Sequence, residues 1–209
     1  MDVAVLGSGR GSNFQAILKA IQGGVLTNVR ICVTVSNNSG AGILEIARAN
    51  SIPAFHISRK QCASDDQLND RLLSTLSQFG TELVVLAGYM KRLDRRIIER
   101  YSNRILNIHP ALLPRYGGEG LYGMHVHEAV IQAGEKESGA TVHLVDEDYD
   151  HGPIVLQQTV PVASGETVKS LAAKVIEIEH QLLPDAIQLF AEGRITVNEK
   201  THQVAIQPL

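Results

Sequence analysis

Short apolar runs recur along the chain: Val3 to Leu6, Val29 to Val35, Ile52 to Ile57, Leu83 to Ala87 and Arg104 to Ile108. Segments such as VTV and LVVLA are apolar on both faces, as strands are when helices cover both sides of their sheet, so the runs predict buried parallel strands. Between them the apolar positions take helical spacing: Phe14 to Ile21, closed by Gly23 and Gly24, then Ile43 to Ala49, Leu68 to Phe79 and Leu93 to Tyr101. Strand and helix alternate. This pattern predicts an α/β fold, an open doubly wound and mostly parallel sheet with helices on both faces and right-handed crossovers.

After Ile108 the rhythm breaks. NIHPALLPRYGGEGLYG is rich in proline and glycine and has no apolar period, which predicts a long structured loop, a kind of segment that is uncommon in compact domains and often functional. Beyond it Val126 to Gln132 reads as a helix, Thr141 to Val145 and Ile154 to Val162 as strands, and Val168 to Phe190 as a long amphipathic helix. The tail, ITVNEKTHQVAI, alternates around Asn198, Glu199 and Lys200 and predicts a terminal hairpin. With no repeat, low-complexity tract or linker, a single domain is expected over residues 1–209, its first half to about residue 100 and its second from about 101.

Composition narrows the function classes. Of 209 residues, 44% are hydrophobic and 20% charged, the balance of a globular chain. A net charge of -3, with no local basic cluster, argues against a nucleic acid partner. Aromatic residues make up 4% and tryptophan is absent, so no base-stacking platform is expected. Cys32 and Cys62 form no CxxC pair, and the first residues lack the features of an export signal; a reducing cytoplasmic setting without membrane contact is the expectation.

Two constellations carry chemistry. LGSGRGSNFQAI joins the first strand to the first helix, where backbone N–H groups and the positive end of the helix dipole suit a phosphate. Ser12 or Asn13 is the expected helix cap. The third glycine is displaced from a dinucleotide fingerprint and the second strand ends in Ser36, Asn37 and Asn38 with no acid for a ribose, which disfavours NAD; no lysine is present for a Walker loop. What survives is a site for a single phosphate at Gly11, Ser12 and Asn13, with a plain tight turn as the bland alternative.

The second is Asn107-Ile108-His109-Pro110. On an extended segment the side chains at i and i+2 share one side, and the residue before proline is held away from helical dihedrals. An amide beside an imidazole suits an oxyanion, because Asn donates without titrating and protonated His donates with charge. Neither is a nucleophile, which points to acyl transfer with the attacking atom brought by the substrate. Among the acids of the segment 145–153, Asp150 is the expected partner of the imidazole. The alternative is a solvated acidic hairpin and a core histidine with its bonds met.

The segments VLGSGRGSN, LAGYMKRL, LNIHPALLPRY and GATVHLVDEDYDHGPIVLQ together resemble the glycinamide ribonucleotide transformylases, folate-dependent formyltransferases of purine synthesis, over nearly the whole chain. The resemblance implies a Rossmann-like formyltransferase fold and transfer of a formyl group from 10-formyltetrahydrofolate to the amine of glycinamide ribonucleotide, without a metal. It implies a phosphate-binding half and a folate and catalytic half, with Asn107, His109 and Asp150 catalytic and Gly11, Ser12 and Asn13 on the phosphate. Glu179 then matches the glutamate on the ribose hydroxyls, and His143 the strand histidine beside the acid. Gly88, Tyr89, Met90, Lys91, Arg92 and Leu93 would meet the folate, as would the loop with Asp146, Glu147 and Asp148.

Two departures stand out against that resemblance. Gln61 to Asp66 lacks an arginine that the family often has there, for which Arg59 or Lys60 would substitute, and the segment Gly117 to Val126 is lengthened. His125 and His127 are expected on a loop or helix surface rather than as a metal pair, and His56 and His202 as ordinary residues. A monomer or homodimer acting on small molecules is expected. A related formyl transferase, a 10-formyltetrahydrofolate hydrolase and a non-catalytic nucleotide-binding module are the rival readings.

Overall fold

The structure, a computed structural model, describes residues 1–198, 201 and 203–208. Glu199 and Lys200 of the predicted tail turn, and His202, lie outside the described residues. The chain divides into two compact units, Met1–Asn107 and Ile108–Leu209.

The first unit alternates as predicted: β1 (Asp2–Leu6), α1 (Ser12–Gln22), β2 (Arg30–Ser36), α2 (Gly42–Ala49), β3 (Ala54–His56), α3 (Asp65–Gln78), β4 (Leu83–Leu86), α4 (Arg95–Arg100) and the start of β5 (Ile105–His109). β1 pairs in parallel with β2 and β4, β2 with β3, and β4 with β5, the last in a register that sets Leu86 opposite Asn107. Val3, Val5, Val33, Val35, Val84 and Val85 are each 0% exposed, which is the two-faced burial that their apolar runs imply. Phe14 and Ile17 of α1, Ile43 and Leu44 of α2, and Leu72 and Leu76 of α3 complete the core. Each such side chain contributes roughly 1.5–3 kcal/mol by leaving water.

Caps move two helix starts away from their predicted positions. α3 begins at Asp65 rather than Leu68, because Ser64 accepts the Gln67 N–H and two acids occupy the first turn. α4 begins at Arg95 rather than Leu93, because Asp94 accepts the Arg96 N–H. β3 is shorter than predicted. Pro53 has no N–H for a ladder, and its carbonyl accepts from Thr34 at the strand's margin.

In the second unit the chain passes through a loop to α5 (Met124–Gln132), β6 (Glu137–Leu144), β7 (Ile154–Pro161), α6 (Val168–Ala191), β8 (Ile195–Asn198) and β9 (Gln203–Ile206). β6 and β7 are antiparallel, and β8 and β9 form the terminal antiparallel hairpin. A Thr167–Ser170 capping box starts α6, whose buried face includes Leu171, Val175, Leu182, Leu183 and Ile187, and the helix runs through Pro184. The strand order is β3-β2-β1-β4-β5-β6-β7, a seven-stranded and mostly parallel sheet.

Candidate active site

In the first turn Gly11 has φ +83, and a Cβ there would stand 2.9 Å from the Ile43 Cα, so the position takes only glycine. This left-handed residue is itself the N-cap of α1, with no side-chain capping bond. Ser12 and Asn13 are therefore the first helical residues rather than the cap expected of one of them. Their N–H groups belong to the positive end of the helix dipole. Ser8 braces the turn: its hydroxyl donates to Asn37 Oδ1 at 2.5 Å and accepts the Met90 N–H at 2.8 Å, and its carbonyl accepts from Asn38 Nδ2 at 2.7 Å. Ser8, Asn37 and Asn38 thus have a supporting role. The sequence reading used Asn37 and Asn38 only as the absence of an acid.

A cleft of about 1060 Å³ within the first unit is lined by Arg10, Asn38, Lys60, Tyr89 and Arg92 among others. Of the segment assigned to folate, Tyr89, Lys91, Arg92 and Leu93 line it and Gly88 and Met90 do not; His56, taken as ordinary, does. Gly11, Ser12 and Asn13 are not among its lining residues. Burial pushes the Tyr89 phenol up to about 12, so it is a neutral hydrogen-bond donor at physiological pH. Met90 is 50% exposed. Arg59 is committed locally, paired to Asp65 at 2.7 Å and donating to the Cys62 and Ala63 carbonyls at 2.6 and 3.3 Å. Between the two candidates for the missing arginine, Lys60 is therefore the stronger.

At the end of β5, Asn107 is half-buried and His109 is 3% exposed. His109 Nδ1 lies 3.4 Å from Asp150 Oδ2, and its Nε2 lies 2.8 Å from the Tyr116 carbonyl oxygen. The other carboxylate oxygen, Oδ1, is 3.5 Å from His143 Nε2, while His143 Nδ1 donates to the Leu144 carbonyl at 2.8 Å. The Gly118 N–H donates to Asp150 Oδ2 at 3.0 Å. A carbonyl only accepts, so each ring donates through the nitrogen that lies away from Asp150. Asp150 therefore stands between two imidazoles, as the sequence expected for His109.

Burial pushes the His109 pKa down, and His143 adds to this; Asp150 and the Tyr116 carbonyl work against it without overcoming it. Burial pushes Asp150 up, but the His143 hydrogen bond, the His109 charge and the Gly118 N–H prevail and leave the carboxyl below its ordinary value. The pair thus rests with an ionised acid beside a ring that favours neutrality until negative charge arrives.

His127 is 5% exposed, not on a surface. α5 starts two residues before the predicted Val126, and its buried face is Val126, His127 and Val130. His125 is exposed as expected, 3.2 Å from Glu128 Oε2. Asp146 closes its own loop, 3.1 Å from His151 Nδ1 and accepting the Asp148 N–H at 3.0 Å, and Glu147 and Asp148 are exposed. Glu179 is 8% exposed on α6. The sequence reading missed Tyr116, whose contribution is a backbone carbonyl, and Gly118, which the run of glycines could have flagged. Among the described residues no group of three or more His, Cys, Asp and Glu side chains is placed to hold a metal ion, and no helix is long and apolar enough to cross a membrane.

Asn107 and His109 on β5, with the Asp150 carboxylate of the β6–β7 loop beside the imidazole, are groups of the kind that acyl transfer uses. Residues 1–187 match the formyl transferase family, and the chain belongs to that family. It is 37% identical over 94% of its length to phosphoribosylglycinamide formyltransferase of Haemophilus influenzae, of which it covers 90%. It is 42% identical over 92% of its length to a chloroplastic phosphoribosylglycinamide formyltransferase of Vigna unguiculata, of which it spans 62%. The crystal structure of glycinamide ribonucleotide transformylase 1 from Symbiobacterium toebii has a TM-score of 0.92 at 37% identity, covering 100% of this chain and 94% of that one.

Proposed function

We propose that this protein transfers a formyl group from 10-formyltetrahydrofolate to the amino group of glycinamide ribonucleotide in purine biosynthesis. The observation that carries the reading is His109, buried at the end of β5 with Asn107 two residues before it and Asp150 at its Nδ1. The folate supplies the activated formyl carbon when bound. As the unprotonated amine attacks, Asn107 and protonated His109 donate to the formyl oxygen, and the negative charge growing there strengthens both hydrogen bonds. Asp150 stabilises the imidazolium and helps carry a proton from the amine toward the leaving nitrogen.

Gly11, Ser12 and Asn13 hold the substrate phosphate through their N–H groups, and Glu179 holds the ribose hydroxyls. Gly88 to Leu93 and Asp146, Glu147 and Asp148 serve the folate, and Lys60 takes the place of the missing arginine in positioning substrate. Side chains and backbone N–H groups of the chain perform every step in this scheme, which calls on no metal. Both substrates are small molecules, and the protein works in the cytoplasm as a monomer or homodimer.

The test is to incubate the protein with 10-formyltetrahydrofolate, with and without glycinamide ribonucleotide, and to identify the products. Formylated ribonucleotide is expected, with folate turnover dependent on the acceptor. Release of formate without the acceptor would make the protein a hydrolase, and no turnover in either arm would leave a binding module.

A further inference from the structure

In the proposed reaction His109 donates a hydrogen bond to a substrate oxygen, yet both of its nitrogens already face acceptors: Asp150 Oδ2 at Nδ1 and the Tyr116 carbonyl at Nε2. The carbonyl is there by construction. Tyr116 has φ +59, a left-handed conformation that a bulky residue adopts only when its surroundings enforce it. Its hydroxyl donates to Glu135 Oε1 at 2.7 Å, and the neighbouring Arg115 guanidinium pairs with that same oxygen. Glu135 is itself fixed. It follows Gly134, which ends α5 at φ +66, and its N–H reaches back to the Val130 carbonyl while the Gly134 N–H reaches that of Ile131, the paired bonds of a Schellman stop.

The far side of the strap is equally tied. The Gly118 N–H donates to Asp150, and a Cβ on Gly117 would stand 2.5 Å from Leu113 Cδ2 and 3.0 Å from Asp150 Cβ. The segment 115–118 is thus seated against both members of the His109–Asp150 pair and bolted at its outer end to the turn after α5.

We infer that Glu135 is a positioning residue for His109: acting through Tyr116, it holds a backbone carbonyl on Nε2, so that the ring keeps its proton there until the formyl oxygen takes the carbonyl's place. The carbonyl is a stand-in for the substrate oxygen. It gives the buried imidazole a second acceptor and opposes the loss of charge that burial favours. The groups that face His109 are Asp150 from the β6–β7 loop, which favours the charged ring, and His143 from β6, which opposes it; His127 on α5 also feels the His109 charge. None of them replaces a missing acceptor at Nε2.

This inference rests on the proposed role of His109, but its test does not need turnover. The ring is titrated by two-dimensional NMR in the substrate-free protein, for wild type, Glu135→Ala, Glu135→Gln and Tyr116→Phe, with circular dichroism to verify the fold. In Glu135→Ala and Tyr116→Phe the strap keeps only its Gly118 tie and the carbonyl is held less firmly on Nε2, so the His109 titration is expected to move to lower pH. Glu135→Gln keeps an oxygen for the Tyr116 hydroxyl and should stay nearer wild type. In the formyl-transfer assay kcat/KM should fall about tenfold in the first two variants, the effect of one hydrogen bond to a charged group. Folded Glu135→Ala and Tyr116→Phe proteins with a wild-type His109 titration would overturn the inference. Shifted titrations in a protein without formyl transfer would uphold the latch and reject the proposed function instead.

Discussion

At the scale of single residues, the chemistry turns on how a buried imidazole comes by its charge. Burial lowers the His109 pKa and Asp150 raises it, so in Asp150→Asn the ring should lose its proton at still lower pH. The charged ring is the active donor. Activity therefore falls as pH rises through the His109 titration, and in Asp150→Asn that limb of the pH–rate profile should move toward lower pH while turnover drops; a limb that stays put would refute the coupling. Asn107 does not titrate and contributes one donor. Asn107→Ala is expected to reduce kcat by about 10² to 10³ with little change in fold, measured by steady-state kinetics and circular dichroism. Side-chain chemistry and strand ends suggested the pair His109 and Asp150 but left a core histidine and a solvated acidic hairpin equally open, and the family resemblance favoured the pair. The Tyr116 carbonyl could not be read from the sequence, because a backbone acceptor leaves no mark on residue type and its placement depends on a left-handed φ and a distant carboxylate.

At the scale of elements, the site depends on where helices start. Gly11 turns the chain into α1 and leaves no space for a side chain beside Ile43. Gly11→Val should destabilise the protein by about 1–3 kcal/mol in denaturant titration, the cost of a strained backbone position, and should raise KM for the phosphorylated substrate more than it lowers kcat. An unchanged KM would move the phosphate elsewhere. The strand and helix order was legible because two-faced apolar runs and helical spacing are local signals. Boundaries were less so: Ser64 and Asp94 set the starts of α3 and α4 through side-chain caps outside the apolar period. His127 stands one residue after Val126 and three before Val130, so helical spacing brings it beside the apolar face, whereas its residue type alone points to the surface.

At the scale of the whole molecule, the same ionisations make stability depend on pH. Lys174 and Ser170 hold the Glu166 carboxyl down at about 2, against an ordinary value of 4.5. Because the folded value is the lower one, this stabilisation is complete above pH 4.5 and is lost as pH falls toward about 2. Glu166→Gln should flatten the fall in Tm across that window, as followed by thermal denaturation at a series of pH values. Asp150 acts with the same sign below its ordinary 3.8. His109, held below its ordinary 6.5, also weakens the folded state as acid is added, since the unfolded chain takes up that proton first. The protein should therefore lose stability progressively from about pH 6.5 downward.

The most direct measurement of the central claim is a crystal structure with a folate analogue that keeps the formyl oxygen but cannot transfer it. The oxygen is expected within hydrogen-bond reach of Asn107 Nδ2 and His109 Nε2, with the Tyr116 carbonyl displaced. A formyl oxygen bound away from both side chains, with the Tyr116 carbonyl still on His109, would contradict the account.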